Sequence, residues 1–416
     1  MPEPRPLHIV LLNQAFHPDV VATAQMAKDL ADSLAARGHT VTAIASRSLY
    51  GQAGATLPPR ETLAVGKGRI EIHRVGASLF GKAGIAARLA DFALFYLLAA
   101  FKVLSIPRPD VVVGFTTPPF IALLGIICRW LRGSRAIHWV MDLYPDVPVA
   151  CGMMKPTGPL HAVLDAVSRW ILRQSDTNVV LGRCMQERVL AKGTPAGKVA
   201  FIPVWADLAG VEPVPSERNT LRREWAPNNE LLVMYSGNLG IAHDVATMLD
   251  AMRRLKDEAG IKFVFVGSGK RRAEVESFAS MNGLTNVAFL PYQPREKLGE
   301  SLSAGDLHLV SLREGAEGCI VPSKLFGIMA VARPALFIGS PKSEIARVLD
   351  ESGGGLAFRE GEGEKLSQTI LQLRADMQRR RDMGDRALAG LKGKYDRDTA
   401  CAQWIALLEQ SAPATP

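Results

Sequence analysis

The chain has few cysteines and sets them far apart. Cys128, Cys151, Cys184, Cys319 and Cys401 are the five among 416 residues. With no CxxC pair and no short-range framework, neither a disulfide-stapled secreted scaffold nor a paired-thiol site is indicated; the five read as reduced thiols of a cytosolic protein. The start, MPEPRPLHIVLLNQ, has no charged n-region, long apolar h-region or small-residue cleavage site, so it does not read as a signal peptide. Nor is there a bilayer span. The longest uncharged apolar run of the first half, FALFYLLAAF (92–101), is bounded by Asp91 and Lys102, and a span needs about 18 residues or more. No GxxxxGK[ST] loop occurs, GSGKRR (267–272) lacks the third glycine of GxGxxG, and the first strand ends in LLNQAFHPD without glycine. These absences disfavour P-loop and dinucleotide-binding readings. No basic run interleaved with aromatics suggests nucleic acid.

What is present fits two globular domains. A hydrophobic share of 48 % over 416 residues fills two cores of about 200 residues each. The basic excess is one-sided: residues 1–205 hold 22 Lys and Arg against 13 Asp and Glu, a net of +9, and the remainder holds 27 against 28. An anionic partner for the first half follows, a diphosphate or an anionic membrane face among them. The 92–101 run, flanked by Lys82, Arg88, Lys102 and Arg108, is either a helix buried on a sheet or one lying in the membrane interface.

Continuous apolar strands alternate with helices. LHIVLLN, TVTAIAS, DVVVGFT, AIHWVMD and TNVVLG form one series; ELLVMYSG, IKFVFVGSG, NVAFLPY, DLHLVSL and PALFIG form a second. Such strands between helices mean parallel sheets covered on both faces. Between the series, residues 203–219 carry three prolines and little periodicity, which reads as a linker. The expected fold is therefore α/β, with two Rossmann-like doubly wound domains, 1–205 and 206–397, and a C-terminal helix at 398–411 returning to the first. Such sheets bind ligands at the carboxyl ends of their strands, so the natural site is a cleft between the domains.

Three strand-end loops of the second half are rich in glycine: SGNLGIAH (236–243), VGSGKR (266–271) and EGAEGCIVPSK (314–324). Glycine lets backbone N–H groups approach a ligand, and helix N-termini favour phosphate, so together they suggest an anion-binding mouth. Lys324 sits in the first turn of an apolar helix, after Pro322 and a capping Ser323. A lysine there opposes the helix dipole and makes better sense as a phosphate ligand. Glu317, on the glycine loop just before, would face the group attached to that phosphate.

The segments NQAFHPDVVATAQMAKDLADSLAARGHTVTAIAS, TTPP, HWVMDLYPDV, YSGNLGIAHD, NVAFLPYQPREKL and PSKLFGIMAVARP resemble, in this order and over nearly the whole chain, the family 4 retaining glycosyltransferases of the GT-B fold. The resemblance is greatest to the bacterial subgroup that extends polyprenyl-diphosphate-linked intermediates of exopolysaccharide, capsule or O-antigen. It implies transfer of a sugar from a UDP- or GDP-sugar with retention at the anomeric carbon. The donor would sit in the second domain and the acceptor in the first. The resemblance also implies that no divalent metal is required. A polyprenyl acceptor stays in the bilayer, so with the basic first half and the 92–101 run the expectation is peripheral attachment to the inner face of the cytoplasmic membrane.

Carried over by residue, Glu317 matches the first glutamate of the family's Glu-x7-Glu motif. The second falls at Leu325, and a variant position for it falls at Gly327, so the usual ribose ligand is missing. The family's Arg and Lys after the first strand of the second domain are replaced by GNLGIAHD, with Asn238 and His243 as substitutes and Lys324 as the surviving cation. The expected donor contacts are Gly237, Asn238, Gly240, His243, Gly267, Gly269, Lys270, Tyr292, Gly318, Ile320, Val321, Ser323 and Lys324. Asp142 stands at a strand end where relatives place an active-site His, and joins Glu317 as a catalytic candidate. His17, Asp19 and Thr117 are the expected acceptor contacts. A catalytically silent sugar-nucleotide binder and a nucleotide-sugar epimerase are the alternatives. The sequence leaves the oligomeric state open.

Overall fold

The structure is a computed structural model that describes residues 5–49, 56–77 and 85–410; Lys82 and Ser411, at the edges of two sequence-based expectations, lie outside them. The chain divides into two units. One comprises Met1–Pro145, Lys155–Pro203 and Ala400–Pro416, the other Asp146–Met154 and Val204–Thr399.

The first unit holds strands β1 (His8–Leu12), β2 (Thr40–Ala45), β3 (Arg60–Val65), β4 (Gly68–Arg74), β5 (Val111–Gly114), β6 (Arg135–Val140), β7 (Thr177–Val180) and β8 (Val199–Phe201). They form one sheet in the order β3-β4-β2-β1-β5-β6-β7-β8, parallel except for β3. Its helices are α1 (Ala22–Ala36), α2 (Ile85–Ser105), α3 (Leu123–Arg132), α5 (Pro159–Gln174) and α6 (Arg183–Ala191), with α4 (Asp146–Ala150) belonging to the second unit. The steps from β4 to β8 all run one way across the sheet, whereas the step from β1 to β2 runs the other. Right-handed crossovers therefore put α2, α3, α5 and α6 on one face and α1 on the opposite one.

The central strands are apolar at nearly every position because both faces are covered: Ile9, Val10, Leu11 and Leu12 of β1 are all buried. α1 buries Ala27, Leu30, Ala31 and Leu34 at helical spacing. The β3–β4 hairpin was not among the strands read from the sequence. It alternates exposed and covered residues at the sheet edge, so it lacks the continuous apolar run that marks its neighbours. α15 (Arg397–Glu409) closes on this unit. Trp404 lies 4.5 Å from Trp139 between ring centroids, Arg135 donates to the Leu408 carbonyl at 3.2 Å, and Glu409 pairs with Arg37 at 3.3 Å.

The second unit holds β9 (Leu231–Ser236), β10 (Ile261–Val266), β11 (Val287–Leu290), β12 (Leu307–Ser311), β13 (Ala335–Ile338) and β14 (Gly355–Phe358), all parallel, in the order β11-β10-β9-β12-β13-β14. Around it lie α7 (Thr220–Trp225), α8 (Ala246–Arg254), α9 (Arg272–Met281), α10 (Leu298–Ala304), α11 (Lys324–Ala330), α12 (Glu344–Ser352), α13 (Gly363–Ala375) and α14 (Met377–Leu391). Its core joins Val233, Phe263 and Leu309 of the strands to Met248, Val275 and Ile370 of the helices.

The proline-rich stretch at 203–219 is packed rather than loose. The Val214 amide donates to the Ser303 hydroxyl at 2.9 Å. Asn219 is fully buried, donates to the Glu300 carbonyl at 2.7 Å and caps α7 by accepting from the Arg222 amide.

Candidate active site

In the second unit the strands β9, β10, β11 and β12 release their chains at one sheet edge, and the thirteen donor candidates lie on the loops that follow. Glycine 237, 267 and 269 have φ of +119°, +120° and +144°, values that exclude a side chain at low cost. Their close approach is to one another's loops. A Cβ on Gly267 would stand 2.5 Å from the Gly237 carbonyl oxygen, and one on Gly269 would stand 2.3 Å from that of Leu239. The Leu239 amide donates to the Ser268 carbonyl at 2.8 Å and the Gly237 amide to that of Val266 at 2.9 Å. The glycines thus weld adjacent strand ends into one rim.

Lys324 opens α11, whose Leu325, Phe326, Ile328 and Met329 are buried. Its ammonium lies 3.9 Å from the centroid of the Tyr235 ring, donates to the Tyr235 hydroxyl and reaches the Asn238 carbonyl at 3.4 Å. The Tyr235 hydroxyl itself donates to the Asn238 carbonyl at 3.1 Å. Burial lowers the Lys324 ammonium to about 7, because removing water penalises the charged form and no carboxylate offsets it. Gly237 faces this side chain: a Cβ there would be 3.7 Å from Lys324 Cε. Ser323 precedes the helix with helical backbone angles and makes no side-chain capping bond, contrary to the capping role expected of it.

Glu317 follows a 3-10 turn, Glu314–Ala316, and is followed by Gly318 at φ +68°. Half-buried, its carboxylate has no hydrogen-bond or ion-pair partner among the described residues. A carboxylate left open on a rigid loop is available to a ligand. α4 packs on this 3-10 turn, which places residues 146–150 in the second unit. Of the other candidates, Val321 is buried and can present only its backbone, while Lys270 and Tyr292 are exposed. Among the described residues no group of three or more His, Cys, Asp and Glu side chains is placed to hold a metal ion.

In the first unit the loops after β1, β2 and β5 are joined: the Gln14 amide donates to the Thr117 carbonyl at 2.7 Å and the Ser46 amide to the Gln14 carbonyl at 2.8 Å. His17, Asp19 and Thr117 therefore share the carboxyl edge of this sheet. The fully buried Arg74 guanidinium holds the His17 carbonyl at 2.8 Å and Glu61 at 2.7 Å, tying the hairpin to the β1 loop. Asp19 is largely buried, and burial lowers the His17 imidazole from its ordinary value. The Asp142 amide donates to the Thr116 hydroxyl at 3.2 Å. Asp142 lines a small pocket with Thr116, Phe120, His138, Leu143, Tyr144, Ser168 and Ile171, and burial raises its carboxyl to about 6. His138 is buried and held near 4 by desolvation, a core histidine.

Both halves of the chain match glycosyltransferase families: residues 22–205 the Glycosyl transferase 4-like domain, residues 230–376 the Glycosyl transferases group 1 family. The chain is a GT-B glycosyltransferase. It is 26 % identical over 360 residues, 84 % of this chain and 87 % of the relative, to the Escherichia coli (strain K12) protein that bears the name of a colanic acid biosynthesis glycosyl transferase, WcaI. Among solved structures it resembles sucrose-phosphate synthase from Thermosynechococcus elongatus (TM-score 0.77, 17 % identity, 97 % of this chain and 98 % of that one). It also resembles Anabaena HepE in complex with UDP and glucose (TM-score 0.71, 15 % identity, 97 % and 100 %).

In the glycosyltransferase, His243 stands with Asn238 where the family has Arg and Lys, and it stands there as a neutral ring: burial, with the nearby Lys324 charge, lowers it to about 3. Its Nδ1 lies 2.5 Å from the Ser311 carbonyl oxygen, which fixes the neutral tautomer with N–H there and leaves Nε2 an acceptor. Tyr235 was the residue missed. Inside the apolar strand LLVMYS its hydroxyl is a polar group in a buried position that needs a partner, and that need was the available signal.

Proposed function

We propose that the enzyme moves a sugar from a UDP- or GDP-sugar, with retention at the anomeric carbon, onto a polyprenyl-diphosphate-linked glycan in bacterial surface-polysaccharide synthesis. The observation that carries this reading is Lys324: an ammonium held against an aromatic ring at a glycine-built strand edge and, among the described residues, partnered by neutral groups alone. A donor diphosphate supplies the missing counter-charge and restores the proton that burial disfavours. Glu317, open on the neighbouring loop, receives the sugar as a hydroxyl acceptor and as a negative charge against a transition state with positive character. The diphosphate leaves on Lys324 and the backbone donors of the glycine loops, with no divalent metal required. Ribose is held without the usual carboxylate: Leu325 is buried in the core and Gly327 has no side chain, whereas His243 Nε2 is an acceptor on the same rim. In the first unit Asp142, poised near neutrality, takes the acceptor's proton, and His17, Asp19 and Thr117 position it. A colanic-acid name on WcaI and the UDP and glucose bound by HepE support the substrate classes.

The acceptor's lipid keeps it in a bilayer. Among the described residues no helix is long and apolar enough to cross one, and the enzyme works attached peripherally to the inner face of the cytoplasmic membrane. The test is a panel of UDP- and GDP-sugars screened for thermal stabilisation, followed by transfer of the hit to a polyprenyl-diphosphate-linked acceptor with the product anomer assigned by NMR. An inverted product removes the retaining mechanism. Conversion of donor to an isomer without acceptor makes the enzyme an epimerase, and binding with neither reaction makes it a silent module.

A further inference from the structure

The α2, α3 and α5 face of the first unit carries large apolar side chains that stay exposed among the described residues. On α2 the buried row is Phe95, Ala99 and Val103, so the apolar run at 92–101 is half core. Its other side faces out: Leu97, Phe101 and Leu104 are 70, 73 and 40 % exposed and fall in one i, i+4, i+7 row. On α3, Trp130 and Leu131 are 60 and 68 % exposed, and Trp170 of α5 is 37 % exposed. The two indoles meet edge to face at 5.6 Å, which joins α3 to α5. Arg132 of α3 donates to the Val103 and Ile106 carbonyls at 3.0 and 2.9 Å, which joins it to the end of α2. Three helices thus present exposed apolar side chains side by side, the kind of surface that marks an interaction site.

The charges left unpaired on this face are basic; Arg129 is itself paired with Asp176 at 3.2 Å. Among the described side chains the three helices hold Lys102, Arg129, Arg132, Arg169 and Arg173 against Asp91 and Asp165. Asp91 is buried and Asp165 is taken up by Arg169 and Lys192 at 2.6 and 2.5 Å. Arg132 and Arg173, with Arg108 beside them, hydrogen-bond backbone carbonyls rather than carboxylates, so their charge is uncompensated. Pairing with a second copy through this face would set like charges together, whereas an anionic lipid surface neutralises them. Indole rings favour the level of the lipid headgroups, between apolar chains and water.

We infer that this three-helix face docks on an anionic bilayer, with Trp130 and Trp170 in the interface and Leu97, Phe101, Leu104 and Leu131 below them. The inference rests on the peripheral attachment proposed above and names the surface that achieves it. Trp139, Trp205, Trp225 and Trp404 are at most 5 % exposed, so lipid-borne quenchers report on Trp130 and Trp170. The experiment adds the protein to vesicles of phosphatidylcholine and phosphatidylglycerol whose acyl chains are brominated. Co-sedimentation with quenched fluorescence is expected, with the quenching lost in Trp130→Phe/Trp170→Phe. The triple variant Leu97→Glu/Phe101→Glu/Leu131→Glu, with its fold checked by thermal melting, should partition at least about tenfold more weakly. Binding without quenching, or a folded triple variant that binds like wild type, overturns this face and leaves peripheral attachment standing. No binding by wild type to these vesicles overturns both. A wild-type dimer in light scattering that the triple variant abolishes, without vesicle binding, makes the face a contact between copies and overturns the membrane assignment.

Discussion

At the carboxyl edge of the second sheet, burial lowers the Lys324 ammonium to about 7; at that of the first, burial raises the Asp142 carboxyl to about 6. One physical cause, loss of water around a charge, moves a base and an acid toward neutrality from opposite sides. Lys324 has Tyr235 and a carbonyl about it, and Asp142 has a threonine hydroxyl on its own amide. Neither has an ion-pair partner among the described residues. Each site therefore holds its group away from full charge until a ligand arrives, and the ligand decides the outcome: an anion for Lys324, a proton donor for Asp142.

The largest effect that sharpens this contrast is expected at Asp142. Asp142→Asn should lower turnover by about 10²–10⁴-fold with donor affinity unchanged, and should remove the acid limb of kcat/KM near pH 6. An unchanged pH profile makes Asp142 a structural carboxyl. Next is Glu317→Gln on the other edge. Turnover should fall by about 10²–10³-fold and donor affinity far less, since the charge acts in the transition state; a loss confined to donor binding makes it a sugar-positioning residue. Lys324→Ala should weaken nucleotide-sugar binding by on the order of 1.5–3 kcal/mol in calorimetry. Wild-type binding should take up protons near pH 7 and weaken as pH rises above it. Unchanged affinity returns Lys324 to the role of a surface lysine.

The smallest effect is on stability. The unfolded chain keeps the lysine proton to about 10.5 and the folded one to about 7. The unfolded state thus binds more protons between those values, and this site adds stability as pH rises through them. Asp142 holds its proton to about 6 folded against 3.8 unfolded, so its contribution falls as pH rises from about 4 to 6. At neutral pH, Lys324→Met and Asp142→Asn should each raise the thermal midpoint, by about 2–4 °C. A lower midpoint in either variant would show that its group is compensated.

The central strands of both sheets were legible because burial on both faces makes them continuous apolar runs. The β3–β4 hairpin and β14 were not, because at the ends of their sheets their exposure is mixed. Lys324 and Glu317 were legible because a packing account does not ask for them. Tyr235 was hidden inside an apolar strand, and its contact with Lys324 closes over a sequence separation of 89.

By itself the sequence determined two parallel sheets, a basic first half and the composition of the strand-end loops, since periodicity, charge and glycine are local properties. Only the tertiary structure decided which groups stay charged and which side of α2 faces water. His243 and Lys324 are both basic side chains in the sequence. Desolvation by residues distant in sequence makes one neutral and leaves the other near balance. The Leu97 and Phe95 rows read alike too, until the sheet covers one of them.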